Sequence, residues 1–134
     1  MASAKGPVLD AIGIVASDIA TSIRFYRLLG LALPAKRKAG EDHVEAKTPS
    51  GLRVMIDDEA LIKRISPGWK KPAGQRMGLA FLCASPKAVD ALYAKIVKAG
   101  FRGAKAPWDA FWGQRYAQVL DPDGNKVDLF CPLH

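Results

Sequence analysis

The chain repeats one order of elements twice, and that repeat limits its possible folds more than anything else in the sequence. Val8 to Ala16 is short and apolar and reads as a strand. Ser17 and Asp18 follow as N-cap candidates. Ile19, Ile23 and Tyr26 recur at helical spacing, with Phe25, Leu28 and Leu29 widening the stripe and Gly30 suited to end it. The second half starts the same way. Met77 to Cys83 is an apolar strand, Ser85 is an N-cap and Pro86 sits at the first helical position. Val89, Leu92, Ile96 and Val97 form one helical face, and Gly100 closes it.

Each half then carries a hairpin. Thr48 to Gly51 is a turn between His43 to Lys47 and Leu52 to Ile56. Asp121 to Gly124 is a turn between Tyr116 to Leu120 and Lys126 to Cys131. A further strand is expected before each hairpin, near Leu31 to Lys38 and near Ala104 to Trp112. The expectation is an α+β fold of one domain over residues 1–134. It comprises a βαβββ module at 8–57, an intermodule loop at 58–75 and a second βαβββ module at 76–132. The loop holds turn signals at Ser66 to Gly68 and Lys71 to Gly74, and Ala60 to Ile65 suits a short helical turn. Two such modules side by side would make one curved mixed sheet around a concave pocket, with the helices on the outer face.

Strand alternation assigns the faces. The helices need Ile12, Ile14, Val44, Ala46, Leu52, Val54 and Ile56 from the first half, and Leu79, Phe81, Ala117, Val119, Val127 and Leu129 from the second. The opposite, open face carries Leu9, Ala11, Gly13 and Val15, then His43, Glu45 and Lys47, then Arg53, Met55 and Asp57. From the second half it carries Gly78, Ala80, Leu82, Tyr116, Gln118, Leu120, Asp128 and Phe130. Small, apolar and a few polar groups together are what a small-molecule pocket needs. Each polar residue taken singly also fits a wet sheet surface.

Composition narrows the partners. Twenty Lys and Arg against thirteen Asp and Glu give a formal charge of +7, which argues against cationic ligands. The basic residues are dispersed rather than gathered in one stripe, so nucleic acid is not expected as a partner. No run has the length of a membrane span, and Met1 to Asp10 lacks a signal-peptide core, so a cytoplasmic protein is expected. Cys83 and Cys131 lie far apart in sequence, in apolar runs, and read as two buried thiols.

Leu9 to Asp18, Phe25 and Tyr26 with Leu29 to Leu31, Phe111 to Arg115, and Asp121 to Asn125 running into Val127 to Phe130 together carry a resemblance. These segments resemble the vicinal oxygen chelate superfamily, which includes glyoxalase I, bleomycin-resistance proteins and extradiol dioxygenases. The resemblance covers about Val8 to Pro132. It implies a divalent metal held by four side chains, at positions occupied here by Ala11, Met55, Gly78 and Asp128. Ala and Gly offer no ligand atom, and Met sulfur is poorly matched to an oxygen and nitrogen site. Sliding the first strand by one residue would present Asp10 but turn its apolar residues outward. No metal and no other cofactor is therefore expected.

Two functional readings follow. The first is a binding protein holding an aromatic or planar ligand, neutral or acidic. His43, Glu45, Arg53, Met55, Trp69, Trp108, Phe111, Trp112, Tyr116, Gln118 and Phe130 are its candidate contacts, with Trp69 as a lid. Core packing is the plainer reading of Trp112. The second is a metal-independent isomerase, cyclase or lyase with Asp128 as general base. The resemblance also implies a homodimer, and leaves open whether the modules pair within one chain or across two.

Overall fold

A computed structural model describes residues 7–134; the reading of Met1 to Asp10 falls largely outside them. The first strand, β1 (Ala11–Ala16), runs into helix α1 (Ile19–Leu28). Of the two cap candidates Asp18 is the one used: its carboxylate accepts from the Ala20 N–H at 3.2 Å and the Thr21 hydroxyl at 2.9 Å. Strands β2 (His43–Lys47) and β3 (Arg53–Asp58) follow, joined by a tight turn in which Gly51 takes φ 94°. Helix α2 (Glu59–Ile65) starts where the short helical turn was expected, capped by Asp58. The second half holds β4 (Leu79–Leu82), α3 (Pro86–Lys98), β5 (Arg102–Ala110), β6 (Gln114–Leu120) and β7 (Lys126–Pro132). Ser85 caps α3 through the Ala88 N–H at 3.1 Å.

The strand expected near Leu31 to Lys38 is absent. Leu31 and Leu33 are buried, yet their amides bond locally, Leu31 to the Tyr26 carbonyl and Leu33 to the Leu31 carbonyl. Pro34 offers no donor, and Lys36, Arg37 and Lys38 stay exposed. The corresponding strand in the second half is present as β5.

The fold is α+β, as expected. Hydrogen bonding divides the strands into two sheets, ordered β1-β3-β2 and β4-β7-β6-β5. In each, the strand before the helix pairs in parallel with the last strand of its unit: β1 with β3, β4 with β7. The helix-facing residues are buried as alternation requires, including Val44, Ala46, Val54 and Ile56, then Ala117, Val119, Val127 and Leu129. Against them pack Ile19, Ile23, Phe25 and Tyr26 of α1 and Val89 and Ile96 of α3, in one cluster spanning both halves. Each fully buried side chain such as Ile56 or Ile96 contributes about 1.5–3 kcal/mol. Phe25 meets Phe101 edge-on at 5.2 Å, and the Tyr26 hydroxyl donates to buried Asp121 at 2.7 Å. These contacts lock the halves together on the helical side and leave the other sheet faces open.

Candidate functional site

Ladder register turns the open faces into cross-strand rows. On the first sheet one row is Ala11, Arg53 and Lys47, the next is Gly13, Met55 and Glu45, and the third is Val15, Asp57 and His43. On the second sheet one row is Lys105, Gln118, Asp128 and Ala80, and beside it lies Trp108, Tyr116, Phe130 and Leu82. The edge strands β1 and β4, with a cleft between them, contribute mostly small residues to these faces.

The polar residues of the first face form one network. Arg53 donates to Asp10 at 2.6 Å and to Glu45 at 2.8 Å. Glu45 reaches the His43 Nε2 at 2.8 Å, and Asp57 the Nδ1 at 2.5 Å. Hydrogen bonds accepted by Glu45 first and Asp57 second raise the His43 pKa, and His43 and Arg53 lower that of Glu45. Three carboxylates, Asp10, Glu45 and Asp57, thus face Arg53 and His43, with Lys47 beside Arg53 in the same row.

The second face is aromatic. Trp108 and Trp112 stand at 6.0 Å, Trp108 and Tyr116 at 5.5 Å, and Trp112 and Tyr116 at 5.2 Å, all edge to face. Phe111 extends the chain from Trp112 at 4.9 Å, and Phe130 lies 6.2 Å from Tyr116. The Trp112 indole N–H donates to Gln114 at 2.8 Å, which fixes the ring. The Lys105 ammonium caps the Trp108 ring at 4.1 Å. In the polar row, Asp128 accepts from the Tyr116 hydroxyl at 2.6 Å and the Gln118 amide at 3.1 Å. Burial, followed by the Asp128 carboxylate, pushes the Tyr116 pKa up to about 12.

The expected contacts therefore gather in three places. His43, Glu45, Arg53 and Met55 share the first face. On the second, Tyr116 and Gln118 bond Asp128, while Trp108, Trp112 and Phe130 gather about Tyr116 and Phe111 touches Trp112. Trp69 stands apart from both, lining a cleft of about 590 Å³ between β1 and β4. Gln75 pins the cleft's loop wall, exchanging hydrogen bonds with the Lys126 backbone at 2.7 and 3.1 Å. At the family's metal positions, Ala11, Met55 and Gly78 present no oxygen or nitrogen side-chain donor. Both oxygens of Asp128 are already hydrogen-bonded. This donor set does not fit a hard divalent ion.

Sequence reasoning placed Asp57 on the open face without giving it a part, although its alternation with Arg53 and Met55 was legible. Lys105 was missed for a physical reason. Register shifts on either side of it bring both Lys105 and Trp108 to the face of Gln118 and Tyr116, where strict alternation would separate them.

The family profile described as Glyoxalase/Bleomycin resistance protein/Dioxygenase superfamily matches residues 8–129. Among solved structures, a glyoxalase/bleomycin resistance protein/dioxygenase family enzyme from Burkholderia phytofirmans PsJN is 20% identical. The match covers 93% of this chain and 98% of that one, with a TM-score of 0.79. A protein of unknown function from Agrobacterium tumefaciens str. C58 is 26% identical over 96% of this chain and 97% of that one, with a TM-score of 0.70. A lactoylglutathione lyase from Agrobacterium tumefaciens is 17% identical over 96% of each chain, with a TM-score of 0.66. No curated protein matches the chain significantly.

Proposed function

Because the chain belongs to the glyoxalase/bleomycin resistance protein/dioxygenase superfamily, we propose that it uses the open faces of that fold to bind a small aromatic or planar molecule, neutral or acidic, without a metal at the family's ligand positions. One observation carries this reading: an aromatic row, Trp108, Tyr116 and Phe130, runs beside a polar row, Lys105, Gln118 and Asp128, on a single sheet face. A flat ring lies on the first row while its oxygen or nitrogen substituents meet the second. The Lys105 ammonium favours an acidic substituent over a cationic one. The protein works as a homodimer. Phe111 is 97% exposed and Leu82 68% exposed on this face, an apolar surface that a second chain would cover. Two free thiols, Cys83 and Cys131, suit the reducing cytoplasm.

A second reading rests on the Tyr116 hydroxyl, a titratable group 2.6 Å from Asp128. That contact favours Asp128 as acid or base in a metal-independent isomerisation, cyclisation or elimination.

Calorimetric titration separates these ideas. 2-Naphthoate and 2-naphthamide are expected to bind saturably, and a naphthylmethylammonium salt more weakly. Trp108→Ala should weaken naphthoate binding about 2- to 10-fold, as the loss of about 0.5–1.5 kcal/mol of ring contact implies. Asp128→Asn should leave that binding within about 3-fold if the residue only orders Tyr116 and Gln118. Saturable binding of none of the three, or preference for the cation, would refute the binding reading. Turnover of a bound compound that Asp128→Asn abolishes would select the enzymatic one.

A further inference from the structure

The two cysteines are 48 residues apart in sequence, but the parallel pairing of β4 with β7 brings them together. Leu82 pairs with Phe130, and the Cys83 N–H continues the ladder to the Phe130 carbonyl at 2.8 Å. One step further along this register, Cys83 lies beside Cys131. Alternation points both thiols the same way, toward the helical side, with Phe81 and Leu129. Both belong to one apolar cluster, in which Cys131 is buried and Cys83 half-buried at its edge. Burial raises the Cys83 pKa, and the neighbouring Cys131 adds to the rise. Both are free thiols.

We propose that Cys83 and Cys131 form an oxidative modification site, at which a peroxide converts the pair to an intrachain disulfide joining β4 to β7. Neighbouring strands lie about 4.8 Å apart, inside the Cα separation of roughly 4.4–6.8 Å that a disulfide accepts. β4 is a four-residue edge strand bonded only to β7, and Cys83 lies just past its end, so the chain can close the remaining gap between the sulfurs.

The chemistry balances in two steps. The Cys83 thiolate, the more accessible one, attacks a peroxide oxygen. The O–O bond breaks, Cys83 becomes a sulfenic acid, and the departing hydroxide takes the thiol's proton as water. The Cys131 sulfur then attacks the Cys83 sulfur, the S–O bond breaks, and hydroxide leaves with the Cys131 proton as a second water. Two thiols lose two electrons, and hydrogen peroxide is reduced to two waters. The raised Cys83 pKa lowers the thiolate fraction and so slows the first step at neutral pH. Once formed, the bond ties down the strand whose start, Leu79, lines the cleft between the sheets.

The full-length reduced protein is treated with hydrogen peroxide, denatured, alkylated and weighed. The proposal expects a mass lower by two hydrogens, no alkylated cysteine, a linked peptide pair containing Cys83 and Cys131, and reversal by dithiothreitol. In Cys131→Ser, Cys83 should stop at a sulfenic acid that dimedone traps. In Cys83→Ser, Cys131 should remain alkylatable. Circular dichroism of both variants before oxidation establishes that each is folded. Two alkylatable thiols after prolonged treatment, separate oxidation of either cysteine to sulfinic acid in the wild-type chain, or a disulfide between two chains would each overturn it.

Discussion

His43 is the residue whose surroundings make the sharpest chemical statement. It lies between Glu45 and Asp57, and both contacts favour the imidazolium, so its folded pKa stands above the ordinary value of about 6.5. The sign follows. The contribution to stability is fully present below the unfolded pKa and is lost as pH rises through the raised folded value. Because the side chain is 39% exposed, solvent screens the pair and the effect on stability is small. Titration of the His43 ring by NMR is therefore the better readout. Its midpoint should lie above about 6.5 and fall on Glu45→Gln; a wild-type midpoint at or below about 6.5 would rule out the network as described. At this scale the sequence was informative wherever strands alternate regularly, which is why His43, Glu45, Arg53 and Asp57 share a face as expected. Lys105 escaped that alternation because Gly103 and Pro107, at the two irregularities of β5, reverse its face.

Among the elements, the turn between β6 and β7 joins the two halves. Asp121 is 1% exposed. One of its oxygens accepts from the Asp123 and Asn125 N–H groups at 2.9 and 2.8 Å. The other accepts from the Tyr26 hydroxyl of α1 and the Asn125 amide at 2.7 and 2.9 Å. Nearby, Asp123 accepts from the Ser17 hydroxyl at 2.5 Å, at the surface. Asp121→Ala leaves buried donors without an acceptor and should lower unfolding free energy by about 2–4 kcal/mol. Asp123→Ala, at a half-buried position bonded to the exposed Ser17, should cost under about 1 kcal/mol. Urea denaturation measures both, and equal effects would contradict the assignment of Asp121 as the buried anchor. The turn itself was legible, since Asp-Pro-Asp-Gly marks it directly. The segment after α1 was misread for an instructive reason. Leu31 and Leu33 alternate like strand residues because both are buried, but alternation reports burial and not ladder pairing. The amides there bond to α1 and to each other. β4 likewise comes out shorter than its apolar run, because the chain leaves the sheet to reach the Ser85 cap.

At the scale of the whole molecule, the repeat dictated the architecture: two units, each with a parallel pair flanking a helix, joined through a shared core. What the repeat could not specify is how the open faces are used, because that depends on side chains the two halves do not share. The first half presents a charged network and the second an aromatic floor. The four positions at which the resemblance implies a metal carry a single oxygen-bearing side chain, Asp128, already bonded to Tyr116 and Gln118. Native mass spectrometry of the protein taken from its own cell extract tests this account most directly. The predicted spectrum is a pair of chains carrying an organic molecule and no stoichiometric divalent metal; one metal ion per chain, retained through Ala11, Met55, Gly78 and Asp128, would contradict it.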